Sequence, residues 1–104
     1  MTTPDGQAAA LPSDEDVLEH LKEVCAEELE LPAEQVAKID GRTSVVEGLQ
    51  LDSLAQVILL GRIEERYGFV FEPEHRQRLQ SIQTVQELID IIHERIEEQR
   101  EDAR

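Results

Sequence analysis

The chain has 104 residues, enough for one small domain around one core. Asp and Glu number 24 against 10 Lys and Arg, a formal net charge of −14, so the surface repels nucleic acid and anionic membranes and suits partners with basic docking patches. A single cysteine, Cys25, excludes an intramolecular disulfide, and no apolar run has the length of a membrane span or the pattern of a signal peptide; a cytoplasmic setting and a monomer are the expectations.

Residues 1–12 are small and polar, broken by Pro4, Gly6 and Pro12, and read as a flexible N-terminal tail. Ser13 can cap a helix whose first turn holds Asp14, Glu15 and Asp16, where the helix dipole favours acids. Val17, Leu18, Leu21, Val24, Cys25 and Leu29 recur at helical spacing and predict its buried stripe. Cys25 on that stripe reads as a small core residue, not a reactive thiol. His20 falls off the centre of the stripe and has no second ligand at metal spacing, so a solvated or rim histidine is expected. The helix should stop before Pro32, because a residue preceding proline avoids helical torsions.

Ala33 to Asp40 reads as a loop, with Val36 and Ile39 pinned to the core and a turn at Gly41. Ser44-Val45-Val46-Glu47 has capping-box spacing and predicts one short helical turn, ended by Gly48. The resulting connection is long, and long ordered connections tend to be functional.

The stretch from Leu49 to Tyr67 organises the chain. Asp52 is a good N-cap, and a helix should run from it to a glycine stop at Gly68. Ser53 then sits where amides lack partners and the dipole is positive, an end of a helix that tolerates phosphate. Serine is also common there purely as a cap. At about 100° per residue, Leu54, Val57, Ile58 and Gly61 share one stripe, and Leu59, Leu60, Ile63 and Tyr67 share roughly the opposite one. A surface helix needs only one apolar face, and the flanking Arg62, Glu64, Glu65 and Arg66 argue against complete burial. The expectation is that Leu59, Leu60, Ile63 and Tyr67 face the core, leaving Leu54, Val57 and Ile58 half exposed beside Ser53.

Gly68 to Glu72 reads as an extended link, anchored by Phe69 or Phe71. Pro73 suits a first helical position, and a short helix should follow through Leu79. His75, Arg76 and Arg78 on it read as a solvated basic face. Thr84-Val85-Gln86-Glu87 is another capping-box match, opening a last helix with a stripe of Val85, Leu88, Ile89, Ile92 and Ile96. Ile91 lies to one side of it, His93 is expected exposed, and the helix is expected to fray after Glu97. The fold class is all-α: a small bundle of three longer helices and one short helix with a long first loop, a domain over residues 13–97 and a charged tail over 98–104.

Little here supports catalysis. The three histidines are scattered, none lies near Ser53 to act as its base, and the carboxylates lack metal-ligand spacing; no catalytic residue and no metal are assigned.

Thr43-Ser44-Val45-Val46-Glu47-Gly48-Leu49-Gln50-Leu51-Asp52-Ser53-Leu54 resembles the attachment region of acyl carrier proteins, as do Leu29-Glu30-Leu31-Pro32 at the close of the first helix and Ile82-Gln83-Thr84-Val85 before the last. The resemblance covers nearly the whole foldable length. It implies a stand-alone carrier whose Ser53 bears 4′-phosphopantetheine, derived from coenzyme A and added by a phosphopantetheinyl transferase. It further implies that acyl groups ride on the arm as thioesters and are presented to loading, condensing and modifying enzymes. Asp52 would position the serine for the transferase; Leu54, Val57, Ile58 and Gly61 would touch partners, Glu64 and Glu65 would meet their basic residues, and Leu59 and Ile63 would line a cargo cleft. Two departures stand out: Gln50 replaces a usual glycine two residues before the aspartate, implying a different loop path, and Ala55 and Ile58 stand where fatty-acid carriers are acidic. Docking should lean on apolar contact, which favours a specialised polyketide, nonribosomal peptide or lipid pathway over housekeeping fatty acid synthesis. The rival of another class is an unmodified helical interaction module using the same patch.

Overall fold

The computed structural model describes residues 12–49 and 52–102, and every structural statement below concerns these. They form α1 (Asp14–Glu27), α2 (Ala33–Ala37), α3 (Ser53–Tyr67), α4 (Pro73–Leu79) and α5 (Val85–Asp102), with no named strand. The architecture is the expected all-helical bundle, in which α1 packs against α2, α3 and α5, and α4 packs against α5. No described helix is long and apolar enough to cross a membrane.

Each helix start follows from its sequence. Ser13 and Asp16 form a reciprocal capping box on α1. Asp52 Oδ1 accepts from the Ala55 amide at 2.8 Å and caps α3. Thr84 and Glu87 cap α5 in the same reciprocal way. Gly68, at φ 71°, ends α3 in the left-handed conformation, where a Cβ would be strained.

The core is aliphatic. Val17, Leu21, Val24 and Cys25 from α1 meet Leu59, Leu60 and Ile63 from α3 and Val85, Leu88, Ile89 and Ile92 from α5. Burial pushes the Cys25 thiol up to about 11, which keeps it protonated and unreactive at neutral pH. Both Phe69 and Phe71 are buried, in edge-to-face contact 5.0 Å apart, so the link anchors on two rings where one was expected.

Several local expectations need correction. The segment after Pro32 contains the short helix α2, because the Pro32 carbonyl accepts from the Gln35 and Val36 amides and Ala, Glu and Gln are strong helix formers. His75 is fully buried; α4 packs against α5, and the ring caps its own helix by accepting from the Glu72 amide at 3.2 Å. Ile91, to one side of the stripe as its spacing gives, is buried as well, because α5 packs against both α1 and α4 and so has a wide apolar face. His93 is half buried between α5 and the start of α1, donating from Nε2 to the Pro12 carbonyl at 2.7 Å with Nδ1 3.2 Å from Asp14. Finally, α5 runs unbroken to Asp102, past the expected fraying point at Glu97. Polar side chains anchor this last part: Arg95 donates to the Val70 carbonyl at 2.8 Å and lies over the Phe69 ring, and Gln99 donates to the Gly68 carbonyl.

His20 is a further correction, with a consequence for pH. It is 4% exposed, sits edge-on to Tyr67, and its Nδ1 has no hydrogen-bond partner among the described residues. Burial, helped by the nearby Arg66 charge, holds its pKa below the ordinary 6.5. The unfolded chain therefore binds a proton at a higher pH than the folded one. Stability from this residue is complete above pH 6.5 and is lost as pH falls from there towards the lowered folded value. Melting temperatures of wild type and His20→Leu across that range should diverge, wild type losing more on acidification. Parallel profiles would contradict this.

Candidate functional site

The site is built where the long loop delivers the chain to α3. The loop is held by its own polar side chains and by the start of α5. Asp40 N–H donates to Thr43 Oγ1 and Arg42 N–H to Asp40 Oδ1. Glu47 N–H donates to Ser44 Oγ and Gly48 N–H to the Ser44 carbonyl, giving the expected turn. Ser44 and Thr84 form an isolated antiparallel bridge, flanked by Val45 N–H to Gln83 O at 3.0 Å and Val85 N–H to Thr43 O at 2.9 Å. From α2, Gln35 Nε2 donates to the Gly48 carbonyl at 2.7 Å. Gln50, where a different loop path was expected, and Leu51 lie outside the described residues.

Ser53 is the first residue of α3 and is exposed. The Asp52 carboxylate takes the Ala55 amide, and the Asp52 carbonyl takes Gln56, while the amides of Ser53 and Leu54 have no intrahelical acceptor by the geometry of a first turn. A phosphodiester on Ser53 would sit in a favourable field there, reachable from solvent. The residues present therefore fit the expected phosphopantetheine group.

The two faces of α3 separate as the spacing implies. Leu59, Leu60 and Ile63 are buried and Tyr67 is half buried, whereas Leu54 and Val57 are 69% and 68% exposed. Ile58 is half buried, and Gly61 is exposed, with open space where a Cβ would stand. Glu65 is exposed, but Glu64 is turned inward: it accepts from the Phe71 amide at 2.7 Å and from Arg76 at 3.0 Å. Its carboxylate is thus committed to the link between α3 and α4.

Beside Ser53 opens a cavity of about 250 Å³, lined by Glu28, Leu29, Leu31, Leu49, Asp52, Leu54, Ala55 and Ile58. Leu59 and Ile63 are not among its lining residues; they lie in the core. Arg62 donates to Glu28 at 2.5 Å and contacts Glu27 at 3.5 Å, tying α3 to the end of α1 at the cavity's edge. Leu31 and Leu49 were not singled out for the site by sequence reasoning. Their signal was the presence of apolar residues in loops next to helix ends, where solvent would otherwise favour polar ones. Val46, 66% exposed in the loop turn, is another aliphatic residue left without cover.

The comparisons agree with this geometry. The family model described as "Phosphopantetheine attachment site" matches residues 19–92. An acyl carrier protein of Thermosynechococcus vestitus is 31% identical over 81 residues, covering 78% of this chain and 93% of that protein. Members of this family carry covalently attached 4′-phosphopantetheine and have no catalytic activity of their own. With the match spanning α1 to α5, the chain belongs to the acyl carrier protein family.

Proposed function

We propose that Ser53 is the attachment residue and that the chain presents acyl intermediates to the enzymes of a specialised polyketide, nonribosomal peptide or lipid pathway in a cytoplasmic setting. The observation that carries this reading is the placement of an exposed serine at the head of α3, flanked by exposed Leu54 and Val57 and by an aliphatic-lined cavity. The thiol of the prosthetic group supplies the thioester chemistry; the protein supplies address and shelter. Asp52 holds the first turn of α3 so that Ser53 projects outward for the transferase. The side of the cavity formed by Leu29, Leu31 and Ile58 is suited to the inner part of an acyl chain.

The docking face supports the specialised pathway over housekeeping synthesis. Glu64 is spent internally, and Ala55 and Ile58 occupy positions otherwise acidic, so Leu54, Val57 and Ile58 dominate what α3 offers a partner. Burying such side chains contributes about 1.5–3 kcal/mol each.

The test is intact mass after incubation with coenzyme A and a broad-specificity phosphopantetheinyl transferase. Wild type should gain one phosphopantetheine and Ser53→Ala none. An adduct on Ser53→Ala would move the attachment elsewhere, and no adduct on folded wild type with either of two broad transferases would favour an unmodified interaction module.

A further inference from the structure

Away from Ser53, the seam between α4 and α5 gathers three ligating side chains. Glu94 and Glu98 are four residues apart and so share a face of α5. His75 comes from α4 and is fully buried. Its Nε2 lies 3.1 Å from Glu98 Oε1 and 3.9 Å from Glu94 Oε2, and one ligand atom from each residue falls within 4.8 Å of the others. Despite the short distance to Glu98, Nε2 makes no well-formed hydrogen bond among the described residues. A fully buried imidazole nitrogen is thus aimed at two carboxylates without a directed partner.

We propose that His75, Glu94 and Glu98 form a site for a divalent transition-metal cation of the zinc type, which would clip α4 to α5. The donor set decides the class. Imidazole nitrogen with carboxylate oxygen suits zinc, whereas magnesium prefers octahedral oxygen and gives up water reluctantly. Zinc bonds of about 2.0–2.2 Å in a tetrahedron place neighbouring ligand atoms roughly 3.3–3.6 Å apart. The observed 3.1 and 3.9 Å from Nε2 bracket that spacing, and the two carboxylate oxygens, within 4.8 Å of each other, would draw together to complete three ligands and leave water the fourth position.

The proton balance closes. The Glu72 amide donates to His75 Nδ1 at 3.2 Å, so the neutral ring carries its proton on Nε2. A cation at Nε2 requires the other tautomer: the proton moves to Nδ1, none is released, and the long bond from the Glu72 amide is given up. Competing charges are also nearby. Arg78 donates to Glu94 Oε2 at 2.5 Å, and Arg95 lies 3.8 Å from Glu98. Arg78 is half exposed and free to swing into solvent; Arg95 is held by the Val70 carbonyl and stays.

Titration of the full chain with zinc chloride in a calorimeter tests this, alongside Glu94→Gln, Glu98→Gln and Arg78→Gln, each confirmed folded by circular dichroism. His75→Ala is avoided because it would empty a buried position. One equivalent of zinc should bind wild type, at least tenfold more weakly to each glutamine variant of the carboxylates, and more tightly once Arg78 is removed. Nitrogen NMR should show the His75 ring change tautomer on zinc addition. Absence of saturable binding to wild type, or binding unmoved by both carboxylate variants, would overturn the site.

Discussion

Ile63→Ala should lower folding stability by about 2–5 kcal/mol, the range for removing a large aliphatic side chain from a packed core. Ile63 is fully buried on the inner face of α3, where that helix meets α1. Its loss leaves a void between two helices, and the size of the effect depends on how far they can close it. Small domains hold only about 5–15 kcal/mol in total, so this one change consumes a large share. Urea unfolding followed by circular dichroism measures it. A loss below about 1 kcal/mol would mean that the bundle collapses readily around α3, and the face assignment of this helix would then need revision.

Gly48→Ala should cost about 1–3 kcal/mol, as overpacking typically does. It should also slow phosphopantetheine loading of Ser53. A Cβ on Gly48 would stand 2.2 Å from Thr43 Cγ2 and 2.8 Å from the Ser44 carbonyl oxygen. The methyl group can rotate away, but the carbonyl is backbone and is already accepting from the Gly48 amide. Nor can Gly48 retreat easily, since its own carbonyl holds Gln35 Nε2 at 2.7 Å. The loop must therefore shift, and it is the loop that delivers the chain to Asp52. Gly61→Ala is the control: nothing lies within 4 Å of its Cβ, and it is inside a helix, so alanine there should stabilise by about 0.5–1 kcal/mol. If both variants behaved alike, the tight approach at Gly48 would be refuted.

The parts legible in the sequence were those written in local chemistry. Ser13, Asp52 and Thr84 announce helix starts because capping is a contact between residues three apart. The two stripes of α3 follow from spacing alone, and the exposure of Leu54 and Val57 matches it. What was hidden depends on partners distant in the chain. His20 and His75 look like solvent residues until Tyr67 and α5 are laid over them. Glu64 looks like a docking charge until the Phe71 amide and Arg76 turn back upon it. The cavity beside Ser53 draws on Leu29 and Leu31 from the end of α1 and Leu49 from the loop, and no periodicity connects those to α3. Polar residues with long-range partners are the blind spot of pattern reading, because period and propensity describe only neighbours.

The bridge between Ser44 and Thr84 also bears on the order of assembly. Residues 41–45 are tied to residues 83–86 by backbone bonds spanning about forty positions, and closing so long a stretch is entropically costly until the helices between are packed. During synthesis from the N-terminus, the loop and Ser53 emerge well before the residues that pin the loop. The platform beneath the serine is therefore completed only when α5 begins. A transferase that requires the ordered loop would act only once the start of α5 has joined the bundle, so chains cut short of residue 83 would stay unloaded.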